Sequence, residues 1–258
     1  MRVATAAALI AGLLIVLFAL PPLGRGVLTA ALVLLAAYEW ALLCPMRMRF
    51  AMTYAAFCTA TFVILLRFGD SSDWWMATVA AITFWLVIAP LWLWRGLQGA
   101  PAALVAATGW VVIVPAALMF ATTTPGWLLG VLALIWIADI AAYFVGSAFG
   151  RRRLAPRISP GKTWEGVAAG VLGALGYAII CGIFIERLPW MLYLAAAMVV
   201  TVLSIVGDLF ESALKRRVGV KDSGTLLPGH GGILDRVDSL LAALPVAALL
   251  LPMVKGAT

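Results

Sequence analysis

Charge is scarce in this 258-residue chain: Asp, Glu, Lys and Arg together make up 11% of it, and there is one histidine. Soluble domains carry about 25% charged residues. With 65% hydrophobic residues and a mean hydropathy of +1.10, too little polar surface exists to clothe a water-soluble globule. A disordered chain is excluded on the same ground. A single imidazole rules out a histidine-based metal cluster. The cysteines Cys44, Cys58 and Cys181 are odd in number, far apart and set in apolar runs, which excludes a disulfide framework and a zinc site. They read as small apolar packing residues. The short alternating strands of a barrel are missing too.

What the chain has is long apolar runs. About twenty apolar residues cross a bilayer about 30 Å thick as a helix. On that scale nine spans are expected: 3–20, 27–44, 50–66, 74–94, 101–121, 126–148, 166–185, 189–207 and 236–254. The runs are apolar all round, so the spanning elements should be helices. The expected fold is all-α, a polytopic integral membrane protein of about nine transmembrane helices. The first run follows Met1-Arg2 and ends at Pro21-Pro22 rather than at a small-residue cleavage site, so it reads as a retained helix. With the N-terminus cytoplasmic, fourteen basic residues fall inside and only Arg25, Arg67, Arg187 and Lys255 outside, as the positive-inside rule requires. The formal charge of +7 is thus largely topological. It suits anionic lipid headgroups, and no nucleic-acid partner is expected.

The chain divides by polarity. Residues 1–121 are nearly featureless transmembrane helices, with Glu39 beside Trp40 near a membrane edge, where it should snorkel. Residues 122–258 form the region where chemistry is expected, with polar cytoplasmic segments 149–165 and 208–236. Eight of the eleven acidic residues lie from Asp139 onward. Between 208 and 238 there are five basic and five acidic residues, and a patch serving only topology would need no acids.

Spacing suggests what the acids do. Residues 208–218 read as an extension of the eighth helix, with Asp208, Ser212 and Lys215 on one face. Pro228-Gly-His-Gly-Gly cannot continue a helix and should form a tight turn exposing N–H groups. Asp235 and Asp238 then open the ninth helix one turn apart. Carboxylates converging from two helix ends around a hard divalent cation, beside Lys, Arg and glycine amides, suit phosphoryl or nucleotidyl transfer. Residue by residue, plainer readings stand beside this one. Glu211 and Lys215 form an i,i+4 pair of the kind found on any solvated helix, and Asp235 and Asp238 are favourable first-turn acids. His230 is a phosphate-binding group, a proton-handling group or a turn residue. Asp139, about 16 Å along its helix from Gly150, is costly in a membrane and either faces a site or is a hydrogen-bonded structural acid. Arg151-Arg152-Arg153 is an anchor or an anion site. Gly161-Lys162-Thr163 imitates the end of a phosphate-binding loop, but Pro156 stands where the first glycine is required and no strand is expected before it.

The run Ser212-x-Leu-Lys-Arg-x4-Lys221-Asp222-x-Gly-x2-Leu-Pro-x-His230-Gly-Gly-Ile-x-Asp235-Arg-Val-Asp238 resembles the family motif of phosphatidate cytidylyltransferases, with every specified position filled. A second region is similar to the same family: Ala138-Asp139-x3-Tyr143-x2-Gly146, Gly150-Arg151-Arg152 and Ser159-Pro-Gly-Lys162-Thr163-Trp164-Glu165-Gly166. There the aspartate is usually followed by Thr-Gly and the Ser-Pro by Lys, so Ile140-Ala141 and Gly161 depart from the pattern. The resemblance covers 139–238.

The resemblance implies that CTP and phosphatidate become CDP-diacylglycerol and pyrophosphate at a cytoplasmic-face active site. It implies Asp208, Lys215, Asp235 and Asp238 as catalytic residues, and Mg²⁺ on Asp208, Asp235 and Asp238 with Asp222 nearby. A monovalent cation such as K⁺ is a family-level option. Lys215, Arg216, Lys221, Arg236 and His230 would hold phosphates. Ser159, Lys162 and Thr163 would complete the anion pocket, and Ser212, Gly231, Gly232, Asp222 and Asp139 would join the substrate site. A bacterial cytoplasmic (inner) membrane location follows, and a homodimer is compatible with it. Three readings compete: an enzyme acting on an isoprenoid glycerolipid, a transporter with Asp139 at its site, and a scaffold in which Asp208 and Asp235 are dispensable. No inverted repeat supports the transporter.

Overall fold

The structure is a computed structural model that describes residues 11–185, 188–224 and 231–255, the last five by backbone alone. Residues 11–18 are helical. After them come α1 (Pro22–Leu43), α2 (Met48–Phe68), α3 (Ser71–Arg95), α4 (Ala102–Thr122) and α5 (Pro125–Phe149). A short hairpin follows, β1 (Arg153–Ala155) and β2 (Ser159–Thr163). The chain then forms α6 (Trp164–Gly182), α7 (Trp190–Arg217) and α8 (Leu234–Lys255). Seven described helices, α1 to α7, are long and apolar enough to cross a membrane, and the protein is an all-α polytopic membrane protein. α8 coincides with the run expected at 236–254, and 11–18 with part of the run expected at 3–20, whose beginning lies outside the described residues. α7 passes the expected end of its span at 207 and continues to Arg217, as a helical extension over 208–218 requires.

Local chemistry sets the helix boundaries. Pro22 and Pro125 open α1 and α5 from the first turn, where no N–H is needed. Asp70 caps α3 by accepting from the amides of Ser72 and Asp73, while Asp73 accepts from the Asp70 amide. Within α3, residues 84–88 form a π turn. Pro115 lies inside α4, which membrane helices tolerate.

Small residues let the helices close on one another. A Cβ at Gly170 of α6 would lie 3.0 Å from the Ala138 carbonyl of α5, and one at Gly173 would lie 3.0 Å from Ala141 Cβ. α7 meets α8 in the same manner, since a Cβ at Gly207 would lie 2.6 Å from the Asp238 carbonyl oxygen. Phe210 of α7 carries an aromatic cluster, stacked on Trp40 and Trp92 and met edge-on by Phe84 and Trp85. Cys44 and Cys58 are buried in the packing, and Cys181 is half-buried; all three are free thiols. An apolar cavity of about 450 Å³ lies among α5, α6, α7 and α8, bordered by Leu134, Tyr177, Tyr193, Val200 and Leu244.

Candidate functional site

At the other end of those four helices the polar residues gather. Lys162, from β2, reaches Asp208 of α7, with Nζ 2.5 Å from Oδ2. Ser212, one turn further on, donates to Asp208 Oδ1 at 3.3 Å. One more turn along, Lys215 bridges two carboxyls, donating to Glu211 Oε2 and, at 2.6 Å, to Asp235 Oδ1 of α8. The face expected from the spacing of 208, 212 and 215 therefore exists. The solvated reading of the Glu211–Lys215 pair does not hold: Glu211 is only 2% exposed. Helix α8 packs on this face and delivers the second of the two carboxyls, Asp235, to Lys215.

Asp235 is the most tightly held acid of the group. Besides Lys215, it accepts from the amides of Gly232 at 2.8 Å and Ser223 at 3.0 Å. Gly231, at φ +80°, turns the chain so that the Gly232 amide points back at this carboxyl. A Cβ at 231 would stand 2.5 Å from Asp235 Oδ2. Just ahead of the 236–254 run, burial pushes the Asp235 carboxyl up, but the Lys215 ammonium and the two amides outweigh it and hold its pKa down at about 2. Asp238 lies half-buried one turn later; its Oδ1 accepts the Ser239 amide at 2.7 Å, and it feels the charge of Asp208. Asp139 sits on a face of α5 that the rest of the chain leaves uncovered, yet within electrostatic reach of Asp208 and Lys162.

Glu39 departs most from expectation. It does not snorkel: it is 1% exposed, and its two carboxyl oxygens take three donors from the far end of the chain. Oε2 accepts Ser223 Oγ at 2.8 Å and the Leu234 amide at 2.8 Å, while Oε1 accepts the Ile233 amide at 3.0 Å. Gly224 and Gly232 lie against it. A Cβ at 224 would fall 2.6 Å from Oε1, and one at 232 would collide with Oε2 and with Ser223 Oγ.

The remaining residues are placed as follows. Thr163 is buried, and its Oγ1 accepts the Gly166 amide at 3.1 Å, capping α6. Oγ1 accepts in that cap, which leaves the hydroxyl proton available as a donor. Ser159 is half-buried on β2, paired in register with Ala155. Two strands do stand here, contrary to expectation, with Glu165 accepting from the Arg151 and Arg152 amides beside them. Lys162-Thr163 lies within the second strand and leads straight into α6, so the likeness to a phosphate-binding loop still fails, now on geometry as well as on Pro156. Arg216 is exposed and donates to the Ile158 and Val220 carbonyls; Arg217 donates to the Ala100 carbonyl. Lys221, Asp222 and Arg236 are exposed. His230 and Pro228 lie outside the described residues.

Among the described residues no three His, Cys, Asp or Glu side chains stand at metal-ligand spacing. The donor set nevertheless suits a hard cation. Asp139, Asp208, Glu211, Asp235 and Asp238 share one field with Lys162 and Lys215, and carboxyl oxygens are what Mg²⁺ prefers. Chemically, such a site can hold anionic groups against ammonium and amide donors beside a polarising cation.

A model of the cytidylyltransferase family matches residues 1–254. A phosphatidate cytidylyltransferase of Pseudomonas aeruginosa is 41% identical over 241 residues, covering 86% of this chain and 85% of that protein. Those of Thermotoga maritima and Bacillus subtilis are 44% and 48% identical over 132 and 121 residues, stretches that cover about half of this chain and of each relative. The chain belongs to the cytidylyltransferase family.

Proposed function

We propose that this member of the cytidylyltransferase family is a phosphatidate cytidylyltransferase, converting CTP and phosphatidate into CDP-diacylglycerol and pyrophosphate. A phosphate oxygen of phosphatidate attacks the α-phosphorus of CTP. The bond from that phosphorus to the β-phosphate oxygen breaks, and pyrophosphate leaves. The nucleophile is already anionic, so no strong base is needed; the task is to hold two anions together in line. The observation that carries this reading is the meeting of Lys162 and Lys215 with Asp208 and Asp235 at one end of four helices.

The protein's own groups divide the work. Lys162 and Lys215 offset phosphate charge, and Lys221 and Arg236 extend the basic rim. The Gly232 and Ser223 amides hold Asp235 in place. Asp208, Asp235 and Asp238 would hold Mg²⁺, which supplies polarisation of phosphoryl oxygens when bound. In this reading the nine spans expected from the sequence cross a bacterial inner membrane with the N-terminus in the cytoplasm, and the site then faces the cytoplasm. The uncovered Asp139 face of α5 supports sideways entry of the lipid from the membrane.

The test is purified protein in detergent with phosphatidate, Mg²⁺ and CTP labelled on the α-phosphate, with ATP as control. Label moving into lipid from CTP alone is expected. Transfer to an isoprenoid glycerol phosphate but to no phosphatidate would move the reading to that neighbouring substrate. Transfer to neither would end it.

A further inference from the structure

We infer that Glu39, in the otherwise plain N-terminal helices, is a positioning residue for cytidylyl transfer: it clasps Ser223 together with Ile233 and Leu234 and so aims Asp235. The inference rests on the reading of the site given above. Its basis is one set of bonds that crosses the whole sequence. Ser223, Ile233 and Leu234 all donate to the same buried carboxyl group. Ser223 is held from two sides, its hydroxyl by Glu39 and its amide by Asp235. The Glu39 carboxyl thus stands two bonds from the acid that binds Lys215.

Steric fit makes the clasp specific. Gly224 and Gly232 leave no room for a side chain beside the Glu39 oxygens. The first amides of α8 are donors that the helix cannot satisfy itself, and a negative group at a helix N-terminus is favourable. Here the acceptor for the Ile233 and Leu234 amides comes from α1, beside the local first-turn acid Asp235. At 1% exposure Glu39 cannot reach a substrate, so it acts only through Ser223, the two amides and Asp235.

Glu39→Gln keeps the volume but leaves one acceptor oxygen and sets an NH₂ group against donors. Turnover should fall about 10²-fold, the scale of a small misplacement of reacting groups. KM for CTP and for phosphatidate should stay within about three-fold, because binding groups are untouched. Hydrogen exchange at the Ile233 and Leu234 amides should quicken about ten-fold or more while other helices are unchanged. Ser223→Ala, which removes one of three donors, should show the same pattern more weakly. The double variant should be no worse than Glu39→Gln by more than about two-fold, since both act through one clasp.

Independent, multiplying losses in the double variant would overturn the inference. So would a lowered Tm with normal turnover per folded molecule, or unaltered exchange at 233 and 234. If Glu39→Gln fails to insert, Ser223→Ala decides by the same exchange and KM-against-kcat readouts. If the wild-type protein transfers no label, the reading of the reaction fails, and the exchange measurement still settles the clasp.

Discussion

The N-terminal helices α1–α4 and the C-terminal helices α5–α8 divide labour differently from the way their compositions suggest. α4 is two-thirds buried at the centre of the first group, with α2 and α3 packed outside it as exposed as α5 and α6; α5 presents Ile140, Tyr143 and Phe144 to its surroundings. The first group is mass and enclosure, tied by bonds such as Trp40 Nε1 to the Val105 carbonyl and Tyr54 Oη to the Ala106 carbonyl. The second carries the lysines and carboxyls. Yet Ser223, Ile233 and Leu234, which lie beside Asp235 of the second group, are anchored in the first through Glu39. A region poor in polar residues can still govern a polar site if its single buried acid faces the right amides.

That contrast can be broken in four places. Asp235→Asn strikes the chemistry itself: turnover should fall on the order of 10²–10³-fold, with membrane insertion intact, and undiminished label transfer would remove Asp235 from the site. Lys215→Met leaves Glu211 and Asp235 buried without their cation. Breaking a buried pair costs about 3–5 kcal/mol, so thermal unfolding in detergent should show a large drop, and an unchanged Tm would mean the bridge is idle. Tyr54→Phe touches only the enclosing half. It should cost about 1 kcal/mol for the lost bond to Ala106, with turnover per folded molecule unchanged; a selective loss of turnover would mean the halves are less distinct than drawn. Lys221→Ala should do least. An exposed ion contact is worth about 0.2–1 kcal/mol, so KM for CTP should rise by up to about five-fold at constant Tm.

Much of this was legible beforehand. The apolar runs announce helices because lipid permits little else, and the spacing of Asp208, Ser212 and Lys215 puts them on one face of any helix. The approach of Asp235 to Lys215 follows from two helix ends meeting. Glu39 escaped because its partners lie 184 to 195 residues away, and two of the three are backbone amides, which leave no mark in a sequence. The one available signal was the cost of an acid inside an apolar run, read as snorkelling when burial was the answer. The hairpin escaped because Ser159-Pro-Gly-Lys-Thr163 has none of the residues that favour strands except its threonine. The cap that Thr163 makes on α6 escaped because it, too, is a bond to a backbone amide.

The π turn of α3 carries a consequence for how this helix can change in length. A π turn is a local bulge that accommodates one residue more than the regular helix would. Phe84 and Trp85 of that turn, and Trp92 beyond it, all reach Phe210, while Leu86 and Val87 point outward. The chain therefore holds a spare residue at 84–88. Loss of Val87 would let α3 relax into an unbroken α-helix with both flanks still in phase, whereas loss of a residue anywhere else in α3 would rotate one flank by about 100° against the other. Of all positions in this helix, that is where evolution or an engineer could shorten it without turning the aromatic cluster away from α7.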